Sequence, residues 1–418
     1  MKTILLSFFI LISVKSNSQL PDTNDIAINI KKLCPNADII EIEFKTGYYE
    51  IEFLCNNERI EVLFNDDFEV VYTEKEVKIS DEVFKKIQKK LDKSYEGWTF
   101  DESHFIETKD TSFYKVEMMK NGIEENVYFT TDGKFYKPSN LIFNENWTTD
   151  NLSVAFKNEK LPYNFLRPDK IFEMPEILRE ISGIALGSEN LVYCIQDETG
   201  IFFTFDTKQE KITDMVRFTD IGDFEDVAIN EDLAYVLRSD GTIFSFNYKN
   251  FDGTATQTIA ATNCTDVEGL FFDRQNNRLF LACKSSPING NTDHRMIYEM
   301  APGEIRKTQI SFSISNNEIN KMIAKKYPDS VQEANVYQFN PSAIAVHPLT
   351  NEKYVLSASN RLLAIYKNKK LVNLFPLPSE IFYKPEGLSF SPDGGLFISN
   401  EGIKNGFVKG QILYFQKR

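Results

Sequence analysis

The chain has 418 residues, a formal net charge of −14 and a hydrophobic share of 42%. That acidity excludes non-specific binding to nucleic acid or to anionic membranes, because both polyanions need a positive field on their partner. The length suffices for two or three domains, and the many Phe and Tyr residues suit β-sheet.

Residues 1–19 read as a signal peptide. Lys2 supplies the positive end, Ile4 to Val14 form a short apolar run, and Ser16-Asn-Ser18 places small residues before a cleavage point near Gln19. The run is too short to span a bilayer, and no later stretch is long and apolar enough to do so. The first cysteine, Cys34, stands too far along to carry a lipid anchor. The mature protein is therefore expected to be exported, either periplasmic or secreted.

From 20 to 138 the sequence duplicates itself. Tyr48-Tyr-Glu-Ile-Glu-Phe53 matches Phe113-Tyr-Lys-Val-Glu-Met118, and the same offset aligns Val62-Leu-Phe64 with Val127-Tyr-Phe129. Each copy predicts two alternating strands joined by a polar turn. A helix is predicted before each pair, over Asp25 to Leu33 and over Ser80 to Leu91, the second opening on an N-cap serine and first-turn acids. The expectation is a small α+β domain. His104 stands alone among strand residues and reads as structural. Cys34 and Cys55 either pair as a disulfide or serve as small buried apolar side chains; five cysteines leave one odd, and no CxxC occurs. With its Gly97-Trp98 step and Thr131-Asp-Gly133 turn, the duplicated pattern resembles the PepSY-like, β-lactamase-inhibitor-like domains of exported bacterial proteins. The resemblance implies an interaction or inhibitory module without a catalytic site.

Residues 139–169, with Trp147 and Pro162 and little periodicity, read as a linker that wraps onto the following domain. Beyond it one phrase occurs five times: Ser182-Gly-Ile-Ala, Glu225-Asp-Val-Ala, Glu268-Gly-Leu-Phe, Ser342-Ala-Ile-Ala and Glu386-Gly-Leu-Ser. The interval is about 43 residues, with one of about 74. A period in the low forties with a strand phrase in each unit predicts a β-propeller of four-stranded blades over 170–418. The last unit lacks one strand, while Lys170-Ile-Phe-Glu-Met174 is a spare strand before the first. Pairing the two closes a ring of five blades and removes both free edges. The long interval contains a helical candidate, Asn316 to Lys326, rather than a sixth blade. The overall expectation is a mostly β protein: a C-terminal five-bladed β-propeller with a small N-terminal α+β domain.

Pseudo-symmetry turns a repeated carboxylate into a cluster. The phrase opens the strand nearest the axis, so Glu225, Glu268 and Glu386 are expected to converge at one mouth of the channel. Asp197 and Glu401 follow the second strands of blades one and five and belong to the same mouth, while Asp226 adds a carboxylate beside Glu225. Like charges so gathered require protonation, neutralisation by Arg238 and Lys284, or a cation. An all-oxygen donor set without His or Cys selects a hard cation, and a wide ring favours Ca²⁺ over Mg²⁺. The extra sequence at Ser285 to Asp293, Ser313 to Asn340 and Gly402 to Gly410 falls on that same face, where binding sites usually sit.

The phrases Arg179-Glu-Ile-Ser-Gly-Ile184, Phe224-Glu-Asp-Val227, Val267-Glu-Gly-Leu270, Asn340-Pro-Ser-Ala343 and Lys384-Pro-Glu-Gly-Leu388 resemble the SdiA-regulated family of exported bacterial proteins, as does Leu396-Phe-Ile-Ser-Asn-Glu-Gly402. The resemblance implies a five-bladed propeller with a calcium site and lends no reaction. Asp226 departs from the small residue usual at its position, and Lys284 stands where an acid would be more typical. The leading functional reading is an exported, calcium-binding interaction module whose loop-rich face takes a protein or small-molecule ligand. The alternative is a metal-assisted phosphoester or ester hydrolase using the axial carboxylates. His294 lies in a long loop and His347 in the turn Val346-His-Pro-Leu, so a histidine-based triad finds no support.

Overall fold

The structure is a computed structural model that describes residues 23–45, 48–65, 68–120, 123–138, 162–188, 190–327, 337–379, 381–402 and 408–418. The expected signal peptide, most of the expected linker, and parts of the long loops before blade four and after Gly402 lie outside the described residues. Two compact units are present, Met1–Ser139 and Asn140–Arg418. No described helix is long and apolar enough to cross a membrane.

In the N-terminal unit, helix α1 (Thr23–Leu33) precedes strands β1 (Asp38–Lys45), β2 (Tyr48–Cys55), β3 (Glu58–Asn65) and β4 (Val70–Glu76). Helix α2 (Asp81–Ser94) precedes β5 (Thr99–Thr108), β6 (Ser112–Lys120) and β7 (Ile123–Thr130). The two repeats are joined as one antiparallel seven-stranded sheet in chain order, with β4 and β5 pairing from Tyr72↔Thr108 to Glu76↔His104. Alternation decides the faces. Ile51, Phe53, Val62 and Phe64 pack against Ile26 and Ile30 of α1, while Val116, Met118, Val127 and Phe129 pack against Ile87 and Leu91 of α2. The Cys55-Asn-Asn-Glu turn is a two-residue hairpin with φ of 52° at Asn56 and 69° at Asn57, the left-handed pair that matches strand twist and that Asn tolerates. Cys34 and Cys55 form a disulfide with Cα atoms 6.0 Å apart, tying the end of α1 to the end of β2.

The second unit is a five-bladed propeller. Blade one is β9 (Ile181–Leu186), β10 (Leu191–Gln196), β11 (Ile201–Asp206) and β12 (Lys211–Arg217). Blade two is β13 (Phe224–Asn230), β14 (Leu233–Arg238), β15 (Thr242–Asn247) and β16 (Thr256–Ile259). Blade three is β17 (Val267–Asp273), β18 (Arg278–Cys283), β19 (His294–Met300) and β20 (Gln309–Ser315). Helix α3 (Asn316–Lys326) follows, capped by Ser315, whose hydroxyl accepts the Glu318 N–H. Blade four is β21 (Ala343–Val346), β22 (Lys353–Ser357), β23 (Leu362–Lys367) and β24 (Lys370–Pro376). Blade five is β25 (Pro385–Phe390), β26 (Leu396–Asn400) and β27 (Gln411–Phe415), completed by the spare strand β8 (Lys170–Glu173), which pairs with β27.

The inner strands β9, β13, β17, β21 and β25 each contact the next around a closed ring. The outer strand of blade three begins only at Gln309, 9 residues after β19 ends at Met300. Successive turns closed by Glu304 N–H to Ala301 O and Lys307 N–H to Glu304 O use up the intervening residues. The segment before β8 contributes core as well as connection, since Tyr163 and Phe165 are fully buried with residues of blades four and five. Cys264 and Cys283 form a second disulfide, which spacing alone did not indicate, and Cys194 is a buried free thiol.

A carboxylate ring at the channel mouth

Four of the five phrases open an inner strand at a local irregularity. The pairing register slips between Phe224 and Asp226, between Val267 and Gly269, and between Pro385 and Leu388, which puts Glu225, Glu268 and Glu386 at β-bulges. Ser182 occupies the same place, since the β9–β10 register slips between Cys194 and Gln196. A bulge re-aims the side chain it carries, and here it frees these residues from the sheet's normal alternation.

The second phrase position faces the neighbouring blade. A Cβ on Gly183 would collide with the Asp226 backbone, one on Gly269 would lie 3.2 Å from Ala343 Cα, and one on Gly387 would lie 2.7 Å from Ser182 O. Glycine is needed there because adjacent inner strands nearly touch. Asp226 occupies this position in blade two. It is buried, and its oxygens accept the N–H groups of Val227 and Leu270 at 2.8 and 2.7 Å. The structure thus directs Asp226 between blades two and three, apart from the carboxylate clusters at the mouth.

Two clusters stand at the mouth. Glu225, Asp266 and Glu268 bring one oxygen each within 4.8 Å of one another, and Glu180, Asp197 and Glu401 do the same. Glu386 lies between them: its charge raises the pKa of both Glu225 and Glu268, and its Oε1 is 3.7 Å from Lys384 Nζ. Two lysines are threaded among the acids. Lys284 pairs with Glu268, and Lys384 pairs with Glu401. Arg238, expected as a neutraliser, turns instead to Asp240 at 2.7 Å and also donates to the Thr242 hydroxyl. Sequence reading missed Glu180, Asp266 and Lys384. The available signal was period two, because each stands two residues before a phrase and so shares its face.

Among the described residues, seven carboxylates stand against two ammoniums at the mouth, and the acids' affinity for protons rises accordingly. Burial, then the charges of Glu386 and Asp266, push Glu268 up to about 8 despite the opposing Lys284. Burial, then Glu401 and Glu180, push Asp197 up to about 8. Burial and Glu268 hold Glu225 well above the carboxylate range. Burial lowers the affinity of both lysines for their protons, but the surrounding acids outweigh it and both pKa values are raised.

A cation of the kind the family resemblance implies fits this donor set on two counts. Every ligand offered is oxygen, and the Ser342 hydroxyl, at the phrase position of blade four, is buried with no hydrogen-bond partner. The histidines serve elsewhere. His347 Nδ1 accepts the N–H groups of Leu349 and Thr350 at 3.1 and 3.3 Å, and His294 Nδ1 lies 3.1 Å from the Ser313 hydroxyl.

No family model and no curated protein matches the chain. Among solved structures, it is similar to a BLIP-like protein from Bacteroides fragilis, with 25% identity over 28% of this chain and 84% of that one, at a TM-score of 0.25. A DUF2874 family protein from Bacteroides uniformis shares 19% identity over 27% of this chain and 83% of its own, at a TM-score of 0.24. Glutaminyl cyclase from Myxococcus xanthus shares 10% identity over 60% of this chain and 95% of its own, at a TM-score of 0.41. Scores this low carry no functional weight.

Proposed function

We propose that the protein is an exported interaction module whose propeller binds Ca²⁺ at its axial mouth and presents the surrounding loop-rich face to a protein or small-molecule ligand. The observation that carries this reading is the excess of partly or fully buried carboxylate over ammonium around the axis, among the described residues. Glu225, Asp266 and Glu268, with Glu386 beside them, would hold the ion; Asp197 and Glu401, with Glu180, form a second oxygen cluster beyond Lys384. A divalent ion there removes like-charge repulsion and fixes the inner strands of blades two, three and five relative to one another, which keeps the loops between them in one arrangement. Export is supported by two disulfides, which persist in oxidising compartments. Kinship with the SdiA-regulated and PepSY-like families rests on the sequence phrases and is part of the same proposal.

The test is metal content and melting temperature of the purified chain in calcium and in excess chelator. Bound calcium at stoichiometric level and a melting temperature several degrees higher with the ion are expected. An unchanged melting curve would sink the calcium reading. Turnover of a phosphoester or carboxyl ester that is lost in a folded Glu268→Gln protein would replace it with the hydrolase reading.

A further inference from the structure

The face of the N-terminal sheet turned away from the helices carries charge where a sheet face normally carries either core or solvent-exposed groups. Register and alternation place Glu61, Glu74, His104, Lys115, Glu117 and Asn126 on it, through the pairs Glu61↔Glu74, His104↔Lys115 and Glu117↔Asn126. Glu74 lies on the last strand of the first sequence repeat; His104 and Glu117 lie on β5 and β6 of the second. One ligand atom from each of Glu74, His104 and Glu117 falls within 4.8 Å of the other two.

The surroundings of His104 point to a cation. Its Nδ1 lies 3.2 Å from Glu74 Oε1, while its Nε2 lies 3.1 Å from Glu102 Oε1 and 3.4 Å from Glu117 Oε1. A neutral imidazole offers one N–H and one lone pair. With carboxylates at both nitrogens, one contact sets lone pair against lone pair unless the ring carries a second proton or a cation stands between the groups. Two further atoms on this face carry the same message. Glu74 Oε2 and Asn126 Oδ1 are buried without a hydrogen-bond partner, on residues only 5% and 7% exposed. Both are acceptors, so the face lacks a donor or a cation. Lys115 supplies one, pairing with Glu74 and lying 3.0 Å from Glu117 Oε1, but a single ammonium serves both carboxylates.

We propose that Glu74, His104 and Glu117 hold a divalent cation of the zinc class, which clamps the first sequence repeat to the second across the β4–β5 junction. One nitrogen and two carboxylate oxygens form a borderline donor set that favours zinc over the hard ions suited to the oxygen-only propeller mouth. Asn126, beside Glu117, completes the polar wall, and the 45% exposed Glu102 side chain marks a solvent-side approach. Binding moves the Lys115 ammonium off at least one of its two carboxylates.

The experiment titrates the full mature chain with zinc chloride in the presence of saturating calcium, which occupies the oxygen-only clusters. Nitrogen-15 histidine spectra are recorded alongside, which is practical because the chain has 3 histidines. Zinc is expected to shift one imidazole, identified as His104 by its absence in His104→Ala, and to bind about tenfold or more weakly after His104→Ala or Glu117→Gln. Lys115→Met, which removes the competing ammonium, is expected to tighten zinc binding several-fold. Zinc that leaves the His104 resonance unmoved overturns the proposal, a result the wild-type protein delivers even where a variant fails to fold. Lys115→Met protein that loses stability and takes up no zinc overturns it as well, by showing Lys115 to be the resident cation.

Discussion

The Asp226 carboxylate of blade two accepts the backbone N–H of Leu270 in blade three at 2.7 Å, and its other oxygen accepts the N–H of Val227 at 2.8 Å. Elsewhere the second phrase position is glycine or alanine, because the neighbouring inner strand passes too close for anything larger. Blade two fills that space with a group able to bond across it. Burial raises the Asp226 pKa well above the carboxylate range even though both N–H bonds pull the other way. The carboxylate is an inter-blade tie.

Asp226→Ala therefore strands two buried N–H groups. Each costs about 1–3 kcal/mol when left without an acceptor, so a loss of roughly 2–6 kcal/mol is expected in urea unfolding, with calcium-dependent stabilisation retained. The exposed neighbour Asp223→Ala serves as the control. An Asp226→Ala loss no larger than the control's would contradict the tie, and loss of the calcium response would return Asp226 to the ion site.

The axial acids make a pH prediction with a definite sign. Glu268 and Asp197 rise from ordinary values of 4.5 and 3.8 to about 8 in the fold. A folded-state pKa above the unfolded one means that the native protein holds the proton more tightly. The resulting stability is complete below the unfolded values and is lost as pH climbs through 8. Without calcium, melting temperature is expected to fall from pH 5 to pH 9. Calcium should flatten that slope, and calcium affinity should rise over the same range as the carboxylates release their protons. Calorimetry across the pH series with chelator and with calcium reads both, and a flat metal-free profile would show that the mouth is already neutralised.

How far the sequence carried is clear from these same residues. Five copies of one phrase, all but one interval near 43 residues, are enough to place five inner strands, and the missing strand of blade five pointed to Lys170–Glu173 because an open ring leaves two edges unpaired. Glu225, Glu268 and Glu386 could be gathered at one mouth by symmetry alone. Symmetry could not separate Glu225 from Asp226, whose opposite destinations depend on the bulge between them. Nor could it find Lys384, which lies outside the repeated phrase and matters only because Glu401 and Glu386 return to it from further along the chain. Cys264 and Cys283 escaped for a related reason: their pairing joins the lead-in of one strand to the end of its neighbour, a register detail invisible in spacing.

Those cysteines allow a direct chemical check. With disulfides at Cys34–Cys55 and Cys264–Cys283, a thiol reagent should find no reactive group in the native protein and a single one, Cys194, in denaturant without reductant. Replacing Cys264 and Cys283 together by alanine should lower stability by about 3 kcal/mol, the closure entropy of a loop of this size. Three reactive thiols in denaturant would mean that one of the two bridges is absent from the folded protein.

The stretch just ahead of the first strand of the ring carries two aromatic side chains of the propeller core. The Tyr163 hydroxyl donates to Gly394 O at 2.8 Å and its ring packs against Tyr354 and Phe390; Phe165 packs against Phe375, Phe382 and Phe415. Both side chains are fully buried between blades four and five. Phe165→Ala is expected to cost about 3–5 kcal/mol, the range for deleting a buried aromatic, and Tyr163→Phe about 1 kcal/mol for one hydrogen bond. Leu166→Ala, 43% exposed, should change little. A propeller that starts at Lys170 keeps every strand of every blade yet loses both rings, so it should melt well below one that starts at Pro162. Equal melting temperatures for the two would show that strand pairing with β27 closes the ring without help from these aromatics.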